Sequence, residues 1–254
     1  MEYRVRVNLM STAIVIALGV VVSTITSTVV AARAYQSRVK QQASSQREIT
    51  VKGSARERVS SDIGVWTITV SGEGKTLPEA FAVLEAGAGK VTAFLKEQGF
   101  GEAEVSMQAI ETKSHYAKDS SGNATWNVEG YELSRQVTVS SGTVSRIAGA
   151  AGEVTKLIKD GVVVSSSRPR FYYTKIADLK VRILGAAAKD ALARAGEIAK
   201  NSGGTVAGVR SVQMGVLQIT EPNSTEVRSE GIYDTDTIEK DVSAVVTVAY
   251  GIES

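Results

Sequence analysis

His115 is the chain's one histidine, and there is no cysteine. Thiol nucleophiles, disulfides and cysteine-ligated metals are therefore excluded. A Ser–His–Asp triad would have to be built on His115, yet no G-x-S-x-G turn presents a serine. Beside Tyr116 in a strand-like run, His115 reads as a surface residue rather than a catalytic base. Four acids, Asp234, Asp236, Glu239 and Asp241, crowd a late insertion. Their oxygens suit a hard cation such as calcium, but the spacing and central glycine of an EF-hand are missing, so a solvated acidic loop is the simpler reading. Gly72-Glu73-Gly74-Lys75-Thr76 echoes a phosphate loop, but one residue separates the glycines where that motif needs four. A turn leading into a helix cap fits better. Arg168-Pro169-Arg170, followed by Phe171, Tyr172 and Tyr173, could pair and stack with a ligand. A strand burying one aromatic face accounts for the same residues. No residue is assigned a catalytic, cofactor-binding or metal-binding role, and the expectation is a non-enzyme without a cofactor.

The elements that carry these residues follow from periodicity. Ile49, Val51, Gly53 and Ala55 alternate with polar residues, as do Trp66, Ile68 and Val70. Both runs predict strands with one buried face. Thr76-Leu77-Pro78-Glu79 predicts a capping box, and Phe81, Leu84, Ala88, Val91 and Leu95 then follow helical spacing to a stop at Gly99. Strands are expected over 105–116 and 127–140, joined by a KDSSGNAT hairpin. A helix over 143–160 would turn Val144, Ile147, Ala151, Val154 and Ile158 inward. Further expectations are a strand over 162–173, an alanine-rich helix over 175–201, and strands over 206–220 and 242–252 around a polar insertion, 221–241. Asn123-Ala124-Thr125 and Asn223-Ser224-Thr225 fit the glycosylation acceptor pattern and place both asparagines in exposed loops. The mixture predicts an α+β fold, with mixed or antiparallel sheets and helices packed on one face.

Before all of this stands Val7 to Ala32, 26 residues without a charge, bounded by Arg4 and Arg6 on one side and Arg33 on the other. As a helix it would reach roughly 39 Å, more than a bilayer's hydrocarbon core of ~30 Å. A cleaved secretory signal is the rival reading, but its apolar core usually holds only ~7–15 residues. The sequence therefore predicts one membrane anchor (1–32), a stalk or linker (33–48), and a folded region (49–254). Gly19, Ser23, Ser27 and Ala31 are spaced by four, so they would share a helix face on which two backbones can approach closely in lipid. Residues 1–48 carry six basic and two acidic side chains, leaving 23 basic and 25 acidic for the remainder. The basic excess sits where it can meet anionic headgroups, and the folded part has none to suggest nucleic-acid binding. The positive-inside count mildly favours a cytoplasmic folded part.

Ile49-Thr50-Val51-Lys52-Gly53-Ser54-Ala55, Asp62, the strand over 66–70, and Tyr131–Val139 resemble the SIMPL-domain family, whose bacterial members include periplasmic immunogenic and oxidative-stress-associated proteins. The resemblance continues through Lys189-Asp190-Ala191-Leu192-Ala193-Arg194-Ala195, Ile198-Ala199, Gly204–Val212 and Ser243–Tyr250, and covers roughly 49–252. Two departures stand out: the long uncharged N-terminal segment in place of a cleaved signal, and Asp241 where a turn glycine is common. The resemblance implies export, no known cofactor, no established catalytic residue and, from at least one member, a large ring-like homo-oligomer.

The expectation is thus a single-pass protein of the cell inner membrane with a periplasmic domain, against the local charge count. It would act as a homo-oligomeric scaffold, in a ring or cage linked to envelope or oxidative stress, with membrane lipids and itself as partners. The alternative is an adaptor or holdase that captures a protein or peptide client by strand addition.

Overall fold

The computed structural model describes residues 27–33, 36 and 47–253. The expected anchor and stalk fall largely outside these residues, Gly19 and Ser23 with them. Ser27 and Ala31 lie in a helical stretch over 27–33, with exposed side chains. Among the described residues, no helix is long and apolar enough to cross a membrane.

The remainder is mixed α+β. In chain order it runs β1 (Glu48–Ser60), β2 (Ile63–Gly74), α1 (Leu77–Glu97), β3 (Val105–Lys118), β4 (Ala124–Ser141), α2 (Val144–Glu153), β5 (Val163–Ser166), β6 (Arg170–Tyr172), α3 (Ile176–Asn201), β7 (Thr205–Met214), β8 (Gln218–Thr220), β9 (Ile232–Tyr233) and β10 (Glu239–Glu253). One sheet has the order β3-β4-β2-β5, with β6 also on β2, and every pairing is antiparallel. The other has the order β1-β10-β8-β9, with β7 also on β10. It is mixed, because β8 and β9 run parallel. The described residues cluster into two compact units: residues 54–188 with 214–246, and a smaller one that includes residues 47–53, 189–213 and 247–253.

In the larger unit, Trp66, Ile68 and Val70 project from one face of β2 into a core shared with Leu84, Val91 and Leu95 of α1 and with Val137 and Val139 of β4. The cap predicted for α1 is present. Thr76 Oγ1 accepts from the Glu79 amide, and the Glu79 carboxylate accepts from the Thr76 amide. Gly72 and Gly74 let this helix lie directly on β2. A Cβ on Gly72 would stand 2.4 Å from the Leu84 nitrogen and 2.5 Å from the Ala80 oxygen, well inside contact distance. Phe81 does not turn inward as expected: it is exposed, and the buried row runs through Ala80, Leu84, Gly87, Ala88, Val91 and Leu95. A second core joins Val59, Leu179, Ile183, Ile219, Val242 and Ala244. In the smaller unit, Ala191, Ala195 and Ala199 are buried at four-residue spacing on α3, and Val51 of β1 and Val248, Ala249 and Tyr250 of β10 are buried as well.

Three element boundaries differ from expectation for local reasons. The helix expected over 143–160 is α-helical only to Glu153 and continues as a 3-10 helix over Val154–Asp160. At three residues per turn, Val154 and Leu157 face the core while Ile158 is exposed. The strand expected over 162–173 divides into β5 and β6 around Pro169, which has no amide to donate to a ladder. The run over 206–220 divides into β7 and β8, and the insertion is shorter than expected, because it contains β9 and β10 already begins at Glu239.

Candidate interaction site

β3 and β4 are longer than the strand they lean on. β2 pairs with β4 only as far as Gly74 opposite Tyr131, whereas β3 and β4 continue to Lys118 opposite Ala124. Beyond β2 the pair is a two-stranded ribbon. Its turn is built from the predicted residues. Asp119 Oδ1 accepts from the amides of Ser121 and Asn123, both at 2.9 Å, and Gly122 takes the left-handed conformation with φ of 85°. The Asn123 amide and its neighbours hold the Asp119 carboxyl below its ordinary pKa. Thr125 ties the strands together by donating to the Ala117 carbonyl at 2.8 Å.

On this ribbon Trp126 is 97% exposed. Tyr116 lies opposite Val128 in register, and both are also exposed. Trp126 lies between Val128 and Ala124, where β4 carries extra residues against β3 and the register shifts. Sequence reasoning found the hairpin but missed this apolar tip. The available signal was length: the β3 and β4 runs outreach any β2 that could end before Thr76.

His115 lies at the base of the ribbon, partly exposed as expected of a surface strand. Its Nε2 is nevertheless occluded, without a hydrogen-bond partner, and 3.4 Å from Glu132 Oε2. Among the described residues, Glu73, His115 and Glu132 are the group of histidine and carboxylate donors close enough together to share an ion.

Of the late acids, Asp236 and Glu239 are exposed as a solvated loop requires, Asp234 and Asp241 are not, and the four do not converge on one point. Asp241 is buried within β10. Arg58 Nε donates to its Oδ1 at 2.8 Å, and the Asn223 amide donates to its Oδ2 at 2.9 Å. These bonds, with the nearby Arg56, lower the Asp241 pKa to about 2. The acid therefore replaces the expected turn glycine with an ion-paired strand position. Asn223, whose amide the acid holds, takes a left-handed φ of 64° in the turn after β8. Asp234 binds Lys240, whose ammonium is buried and donates to Asp234 at 3.1 Å and to the Thr237 carbonyl at 2.6 Å. Burial works to raise the Asp234 pKa, but the Thr237 hydroxyl, the Asp236 amide and Lys240 together hold it low. Asp236 pairs instead with Arg168 at 3.4 Å. Asp234, Asp236 and Asp241 thus have separate counter-groups, because the insertion turns them in different directions.

Arg168 and Arg170 line a recess of about 410 Å³ with Ser167 and Asp236. The aromatic residues that follow do not stack there: Phe171 is buried in the main core, and Tyr173 packs against the second core. The phosphate-loop echo is the Gly72–Thr76 turn and cap described above.

No curated protein matches the chain. The long β3–β4 pair, the helix laid on β2 and the alanine-lined α3 all fall inside residues 49–250, which match the family described as SIMPL, protein of unknown function (DUF541), and the chain belongs to that family.

Proposed function

We propose that the chain is a membrane-anchored, extracytoplasmic scaffold that assembles with copies of itself into a ring or cage, held to the bilayer by residues 7–32. The observation that carries this reading is Trp126, held almost completely in water at the tip of a protruding ribbon. Tryptophan is the residue type most enriched among the anchors of protein interfaces, and such anchors work when a partner surface desolvates them. A ribbon pointing away from its own sheet is suited to reach a neighbouring copy. Val209 and Val212 of β7, each more than half exposed, add apolar surface of the same kind.

The test is the mass of the full chain in mild detergent, measured together with acrylamide quenching of tryptophan emission. Assembly predicts a multimer in which Trp126 is shielded, and smaller particles for Trp126→Ala. A single-chain mass at all concentrations would overturn the reading. A peptide-capturing adaptor is the second reading, because β3 ends its sheet and offers an edge for strand addition. That reading predicts saturable peptide binding by a single-chain particle.

A further inference from the structure

Glu73 is the penultimate residue of β2. Glu132 of β4 lies directly opposite it, Lys113 of β3 lies opposite Glu132, and His115 follows two residues along on the same face. One donor atom from each of Glu73, His115 and Glu132 lies within 4.8 Å of the others. The His115 Nε2 and Glu132 Oε2 pair is 3.4 Å apart without making a hydrogen bond. Two ligands that bind a tetrahedral ion at about 2.0–2.1 Å stand about 3.4 Å from each other, so this pair is already at ligand spacing.

The donor set also has a sign. Two carboxylates directly opposite on neighbouring strands repel each other. Lys113 Nζ, 3.6 Å from Glu132 Oε2, offsets part of that repulsion from a side chain that is 72% exposed on a flexible stem. One imidazole with two carboxylates suits zinc, which accepts nitrogen and oxygen in fourfold coordination. Calcium prefers six to eight oxygens.

We propose that Glu73, His115 and Glu132 form a divalent transition-metal site, with zinc as the fitting ion and water as the fourth ligand. Glu73 is exposed at the end of its strand and is free to close onto the ion. Lys113 gives up Glu132 when the ion enters. The three ligands come from three adjacent strands at the point where β2 stops, so the ion ties the base of the ribbon to the sheet.

Calorimetric titration of metal-stripped full chain with zinc chloride in detergent tests this directly. The expected result is one ion per chain, at least tenfold weaker binding for His115→Ala and for Glu73→Gln, and undiminished binding for Lys113→Ala. Zinc should raise the melting temperature of the parent but not of His115→Ala, with unchanged buried-tryptophan emission showing that the variant is folded. No saturable zinc binding by the parent would overturn the proposal, as would parent-like binding by the His115 and Glu73 variants or weakened binding by Lys113→Ala. None of these outcomes depends on the oligomeric state, so the site and the scaffold reading stand or fall separately.

Discussion

The chain has two tryptophans, and they occupy opposite extremes. Trp66 is 1% exposed in the main core, and its indole donates to Ser166 Oγ at 2.9 Å. Trp126 is 97% exposed. Both sit on antiparallel strands of the same sheet, in runs that alternate polar and apolar residues. What separates them is what lies over the strand: α1 lies on β2, while neither helix nor third strand accompanies the start of β4. Alternation says which residues share a face; the reach of neighbouring elements decides whether that face is covered.

The largest test of this contrast is Trp66→Ala. Removing a fully buried indole should cost about 3–5 kcal/mol in chemical denaturation. A loss as small as that of an exposed site would mean that the ring is not enclosed. Gly72→Val attacks the cover rather than the residue beneath it. Its side chain must push α1 away from β2, and a loss of about 1–3 kcal/mol is expected, with Trp66 emission shifting to the red. Unchanged emission and stability would show that the helix does not lie where Gly72 requires.

Asp241 extends the comparison to a charge that is buried like Trp66. Asp241→Asn leaves Arg58 with a weaker partner and should cost about 1–3 kcal/mol at neutral pH. The folded pKa of about 2 lies below the unfolded value of about 3.9. The carboxylate's contribution is therefore complete above about pH 4 and fades as pH falls towards 2. The gap between parent and variant should close over that window; a gap constant with pH would remove Arg58 as the cause. The smallest stability effect belongs to Trp126→Ala, under about 0.5 kcal/mol in unfolding of the dissociated chain. A larger loss there would mean that the ribbon tip packs against its own chain.

The strands and helices were legible where a regular period met its own terminator. The capping box at Thr76, the Asp119–Asn123 turn and the buried face of β2 are all local, and each was readable. Ile158 was misplaced because the helical period tightens after Glu153, a change that only the packing of Val154 and Leu157 explains. The acids of the insertion were misread because their partners are distant in sequence: Arg58 stands far before Asp241, and Arg168 far before Asp236. His115 looked like an ordinary surface residue because Glu73 and Glu132 approach it only through strand register. Trp126 itself gave no sign of its setting, and only the length of the β3 and β4 runs pointed to it, because exposure depends on where other elements end.

The overhang of β4 has a mechanical consequence. Beyond the level where β2 stops, β3 runs from Ser114 opposite Tyr131 to Lys118 opposite Ala124, about 13 Å at ~3.3 Å per residue, and the extra residues of β4 are taken up in register shifts. A beam of that length converts angle into distance: a tilt of roughly ten degrees at its root carries the tip about 2 Å. A small distortion of the pleat near Gly74 therefore becomes a displacement at the tip larger than the tolerance of a close-packed contact, and the stiffness of that root sets how accurately Trp126 can be aimed.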